Sequence, residues 1–215
     1  MNTVFLVSII SILALAPINT AVSKEFQSFS TAKKHLISHV SHTSRTVYCD
    51  CPIKKEGKKL TPKTDKCGYK PRLEFTRSGN INVRAKRIEW EHIVSAWEFG
   101  HQLKCWQNGG RKNCRKNSKK FKQMEADINN LAPAIGEING DRSNYRFGML
   151  SNTPKRYGAC DVKIDFKQRV IEPPVKARKR VAEAYFYMES TYGFKISKKQ
   201  RRLFNAWLKS ATNSQ

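Results

Sequence analysis

The chain has 215 residues, with 41 Lys and Arg against 17 Asp and Glu, and a formal net charge of +24. That surface selects polyanionic partners (nucleic acid, anionic lipid or acidic glycan) without choosing among them. The longest apolar run is shorter than the roughly 20 residues a spanning helix requires, so an integral helical membrane protein is excluded and stable membrane association is not expected.

In chain order, the apolar run comes first: VFLVSIISILALA, residues 4–16. It fits the hydrophobic region of a secretory signal, and Ala21-Val22-Ser23 would allow cleavage before Lys24. Residues 1–23 are thus expected to be a signal peptide and 24–215 one domain with its own core. Six cysteines behind such a segment, Cys49, Cys51, Cys67, Cys105, Cys114 and Cys160, suggest three disulfides in an oxidising compartment. A zinc site is disfavoured because no C-x-x-C pair occurs. Fifteen pairings are possible. Cys105 and Cys114 bracket a short glycine-containing loop and are the expected pair.

Residues 28–42 have helical apolar spacing behind a Ser cap and carry His35, His39 and His42, which are best read as a solvated basic face. Residues 49–70 suggest an irregular segment stapled by cysteines. A hairpin is expected over 71–86, where two alternating runs flank Ser78-Gly79-Asn80, feeding a helix over 92–99 that Gly100 ends. The stretch 103–122 has no acid and suggests a basic loop. A helix follows over 118–131, with Phe121, Met124, Ile128 and Leu131 on one face. Val162, Ile164 and Phe166 alternate as in a half-buried strand. Pro173-Pro174 then opens a helix that Gly193 closes, and Ser197 with Gln200 caps another before Leu203, Phe204 and Trp207. One α+β domain with a largely helical C-terminal part is the economical reading.

Candidate chemistry centres on RIEWEHIVSAWEFG, residues 87–100, where Glu91 and His92 adjoin between Trp90 and Trp97. Cutting a phosphodiester needs a base, a cation on the phosphate oxygens and donors that hold the phosphate. His92 can be the base, Arg111 a phosphate clamp, and a carboxylate with an asparagine oxygen can hold Mg²⁺. On residue types alone a structural role for Glu91 and His92 stands about level with this. Neighbours on regular secondary structure face different ways, Asn139-Gly140 could be a simple turn, and both tryptophans suggest core.

The longer blocks decide more. RIEWEHIVSAWEFG, CWQNGGRKNC, MEADINNLAPAIGEINGDRSN and the YCDC…CGY opening together resemble the bacterial endonuclease I family of periplasmic and secreted nonspecific nucleases, over residues 26–209. The resemblance implies a ββα-metal motif, in which a hairpin and a helix grip one divalent ion. Glu91 and Asn139 would be its protein ligands and His92 the general base. Arg111 would hold the phosphate, and Glu125 would orient the imidazole through its backbone. The cofactor would be Mg²⁺, with Mn²⁺ or Ca²⁺ able to occupy the site. The substrates would be DNA and also RNA, cut to 5′-phosphate ends by an exported monomer, periplasmic or secreted. Ser95 stands where the family commonly has proline, and Asn129 where it commonly has histidine. Two alternatives stay open: a cationic nucleic-acid-binding protein that does not cut, and an RNA-preferring nuclease on the same scaffold.

Overall fold

The computed structural model describes residues 26–212, so the expected signal peptide lies outside the described residues. The first element, α1 (Phe29–Ser38), begins where Ser28 accepts from the Thr31 N–H and Thr31 reciprocates to the Ser28 N–H. This reciprocal cap satisfies two otherwise orphaned donors. The stapled segment then holds an unanticipated antiparallel hairpin, β1 (Ile53–Glu56) and β2 (Lys59–Pro62). Its strands are too rich in lysine to show alternation, and Gly57 supplies the left-handed turn residue at φ +59°.

The 71–86 hairpin is corrected to a tight turn. Phe75 and Ile81 form one isolated bridge, and a 3₁₀ turn covers Val83–Lys86. Leu73, Phe75, Ile81 and Val83 all stay exposed, so these alternating residues have no sheet to cover. The strand that carries the key pair, β3 (Ile88–His92), instead pairs antiparallel with β4 (Leu131–Ile135), with His92 opposite Leu131. The helix expected from 92 starts later, as α2 (Ala96–Gly100), because Ser95 caps it and Glu98 returns the bond.

Between β3 and β4 lie three more helices: α3 (Lys104–Gln107), α4 (Gly110–Asn117) and α5 (Lys119–Ala126). The basic loop is therefore two short helices clamped by Cys105–Cys114. The helix expected over 118–131 breaks at Asp127, whose carboxylate accepts from the Asn129 N–H and from Tyr187 and Tyr192. Phe121 and Met124 are buried as the periodicity requires, whereas Leu131 already belongs to β4.

Directly after β4 comes α6 (Gly136–Arg142), which completes a ββα unit whose two strands are far apart in sequence. A small sheet follows, β5 (Arg146–Phe147), β6 (Lys163–Asp165) and β7 (Val170–Glu172), in the order β5-β7-β6. Its Phe147, Ile164 and Ile171 are buried. The long α7 (Val175–Tyr192) buries Ala177, Val181, Ala184, Tyr185 and Met188, and Gly193 ends it at φ +65°. Phe204 and Trp207 of α8 (Lys198–Thr212) pack on α7, with the Tyr185 and Phe204 rings 4.4 Å apart. All six cysteines pair: Cys49–Cys160, Cys51–Cys67 and Cys105–Cys114. The architecture is α+β, and among the described residues no helix is long and apolar enough to cross a membrane.

Candidate active site

β3 pairs with β4 on one side only, and a cleft of about 530 Å³ borders it. Every residue from Arg87 to His92 lines that cleft, together with Arg111, Asn139 and Arg142. A strand presenting its unpaired edge contributes from both faces. Alternation therefore does not separate Glu91 from His92 as it would on a packed sheet face.

Glu91 is buried at 1% exposure, and its Oε1 accepts from the Tyr48 hydroxyl at 2.8 Å and from Arg142 Nη1 at 3.0 Å. Arg142, equally buried, also donates to the carbonyls of His92 and Ile93, and so clips the end of β3 onto α6. Its guanidinium lies over the Phe147 ring at 4.9 Å. Burial pushes the Glu91 carboxyl up, and Arg142 and Tyr48 only partly oppose this. One oxygen is thus fixed by protein donors, and Oε2 is the oxygen that could hold a cation.

His92 Nε2 sits 2.8 Å from the Glu125 carbonyl oxygen, which can only accept. Nε2 must therefore carry the proton, which leaves the lone pair on Nδ1. Phe29 of α1 packs on the ring at 4.6 Å. Burial depresses the imidazole to about 4, the bond to the Glu125 carbonyl works against this, and the nearby Arg111 charge adds to it. That depression keeps the ring neutral at physiological pH.

The Glu125 side chain does separate work. It accepts from Arg111 Nε at 2.6 Å and from Arg115 Nε at 2.8 Å. Burial would raise its carboxyl, but the two arginines more than compensate and hold it below the usual range. Arg111 is placed on α4 rather than on a loop, half-exposed at the cleft.

Asn139 is placed on α6 rather than in a turn. Its Nδ2 donates to Glu89 Oε2 at 2.7 Å, so the amide is oriented and Oδ1 is its acceptor end. The carboxylates on either side of it, Glu137 and Asp141, are anchors. Glu137 accepts from Tyr69, Asn82 and the N–H groups of Arg72 and Leu73, and Asp141 accepts a two-pronged bond from Arg72. Asn144 is not part of this network; it accepts from Arg169 at the surface.

Sequence reasoning missed Glu89. Burial would raise its carboxyl, yet bonds from Arg84, Arg87 and Asn139 hold it down. Its signal was available, since Glu89 and Glu91 are two apart on a strand and share a face. Trp97 is another correction: it is 45% exposed and stacked on His101 at 4.2 Å, outside the core, because it is the one residue of α2 on the face turned away from the buried Ala96, Glu98, Phe99 and Gly100. Trp90 is half-buried in the cleft wall.

A buried imidazole, two carboxylates, an oriented amide oxygen and three arginines thus line one cleft. The profile of the endonuclease I family matches residues 26–214. The chain belongs to the endonuclease I family. Among relatives, a periplasmic deoxyribonuclease of Aeromonas hydrophila is 50% identical over 187 residues, 86% of this chain and 75% of the relative. An extracellular deoxyribonuclease of the same organism is 47% identical over 91% of this chain and 82% of its own length. Endonuclease-1 of Buchnera aphidicola is 47% identical, covering 86% of this chain and 70% of the relative. Membership of the endonuclease I family makes the chain a nuclease.

Proposed function

We propose that the chain is an exported endonuclease without sequence preference, which hydrolyses DNA, and RNA as well, with one Mg²⁺ and leaves 5′-phosphate ends. The observation that carries this reading is the tautomer lock on His92. With Nε2 committed to the Glu125 carbonyl, Nδ1 is the basic atom in a cleft shared with Glu91 and Asn139.

The donor set fits a hard cation. Glu91 offers a carboxylate oxygen already steadied by Arg142 and Tyr48, and Asn139 offers an amide oxygen steadied by Glu89. Two such oxygens suit Mg²⁺, which keeps several waters. Bound there, the ion would supply Lewis-acid stabilisation of charge on the phosphate and the departing 3′-oxygen. His92 Nδ1 takes a proton from the attacking water, and Arg111 holds a non-bridging phosphate oxygen. Glu125 positions both groups, the imidazole through its carbonyl and the guanidinium through its carboxylate.

Relatives named as periplasmic and extracellular deoxyribonucleases support export and a DNA substrate. The three disulfides fit an oxidising destination, and residues 1–23 would be the signal peptide. The enzyme would work as a monomer on backbone phosphates, so affinity should fall steeply with salt. The test is plasmid cleavage by oxidised protein with Mg²⁺, with excess EDTA, and by His92→Ala. Cleavage lost in both of the latter is expected; cutting that survives the substitution removes His92 as the base.

A further inference from the structure

A second hollow of about 320 Å³ adjoins the cleft and shares two wall residues with it, Phe29 and Lys33 of α1. Its other walls are Ser28, Ser30, Arg115, Lys122 and Glu125. Three cations therefore face one carboxylate, and that carboxylate is already neutralised by Arg111 and Arg115. Lys33 and Lys122 have no carboxylate within ion-pair distance among the described residues. Lys33 does have a position fixed against the site. Its Nζ stands 4.9 Å from the Phe29 ring centre, and that ring lies 4.6 Å from the His92 ring.

We propose that this second hollow is a backbone-phosphate subsite, in which Lys33 and Lys122 hold phosphates of the same strand one to three nucleotides from the bond being cut. The inference rests on the nuclease reading. The spacing agrees with it: the chain from Lys33 through Phe29 to His92 covers less than about three steps of the ~3.4 Å rise per nucleotide of one strand. The compensation pattern agrees too. Arg87 and Arg111 in the cleft are already paired with Glu89 and Glu125, so among the described residues the cleft cations without an ion pair are Lys33 on α1 and Lys58 on the β1–β2 turn, and of the two only Lys33 also lines the second hollow. The strand would run from the cleft, over the saddle made by Phe29 and Lys33, into the hollow. Phe29 then has a double position, packed on the base on one side and bordering the phosphate path on the other.

The test replaces Lys33 and Lys122 by glutamine, which keeps a polar side chain only one atom shorter and removes the charge; Arg115 is left intact because it compensates Glu125. Binding of a short DNA duplex is measured in EDTA as a function of salt, and cleavage in Mg²⁺. Each lost phosphate contact should flatten the slope of log affinity against log salt by about 0.9, and the double variant by about twice that. In cleavage the loss should fall on KM. The comparison is Lys198→Gln with Lys209→Gln, an exposed pair on α8 that lines neither hollow. An unchanged slope in the Lys33 and Lys122 variant overturns the subsite, as does an equal flattening in the α8 pair, which would mark a bulk-charge effect. A parent protein that binds but never cuts would remove the nuclease reading, and a slope change confined to the Lys33 and Lys122 variant would still support the subsite.

Discussion

Acid should destabilise the metal-free protein through one ring. His92 is depressed to about 4, whereas an unfolded histidine titrates near 6.5. Its contribution is therefore fully present above pH 6.5. It is lost as pH falls from 6.5 to 4, because the unfolded chain takes up the proton first. The whole window of about 2.5 units corresponds to about 3.4 kcal/mol, of which about 2 kcal/mol is gone by pH 5. Other groups act elsewhere or oppositely. Glu89 and Glu125 are held low, so their contributions are lost only below the ordinary carboxyl value of about 4.5. Glu91 is raised by burial, so its protonation favours the folded state as pH falls. The quantity to measure is therefore the difference between the parent and His92→Gln, whose amide can still donate to the Glu125 carbonyl but does not titrate. Urea unfolding in EDTA at pH 7.5, 6 and 5 should show the parent losing about 2 kcal/mol relative to the variant. This is about 1 M in midpoint for a slope near 2 kcal/mol/M. Parallel curves across that range would mean that the ring is solvated or already charged, and the argument for a locked neutral base would fall with it.

Glu91→Gln should cost about 3–5 kcal/mol in urea unfolding, since it leaves the Arg142 charge buried without its closest carboxylate; a loss below 1 kcal/mol would show that Glu98, 3.6 Å from Arg142, suffices. Asn139→Ala should leave the fold within about 1 kcal/mol, as expected for a half-buried side chain, while raising the Mg²⁺ concentration needed for half-maximal cleavage at least tenfold; an unchanged titration would take Asn139 out of the metal site. Replacing Cys49 and Cys160 together by serine opens a loop of 111 residues, worth about 4.8 kcal/mol in chain entropy. A midpoint shift is expected along with weaker metal binding, because Tyr48 beside Cys49 anchors Glu91.

What was legible in the sequence follows from where the information sits. The caps at Ser28 and Ser197 and the stop at Gly193 are local chemistry, and they stand where the residues suggested. The bridge between Cys105 and Cys114 could be expected from a short loop, whereas nothing local pairs Cys49 with Cys160. β3 belongs to the second kind. Its partner begins 39 residues after His92, across four helices, and the alternation at 71–86 offered a nearer and false mate. The helix break at Asp127 depends on Tyr187 and Tyr192, more than 50 residues away. At the site, residue identities came from the family resemblance. Their supports, Glu89 on Asn139 and Tyr48 on Glu91, needed coordinates because each joins distant segments.

The Cys49–Cys160 bond has a consequence outside folding. Glu91, His92, Arg111, Glu125, Asn139 and Arg142 all lie between its two ends, so the centre sits inside a covalent ring. A protease that clips the exposed turn around Arg77 opens that ring once and releases nothing. Both pieces stay tethered, with Glu137 still accepting from Leu73 on one side of the cut and from Asn82 on the other. A first nick is then a scar and not a loss of the molecule, and nicked protein should run as one chain until it is reduced.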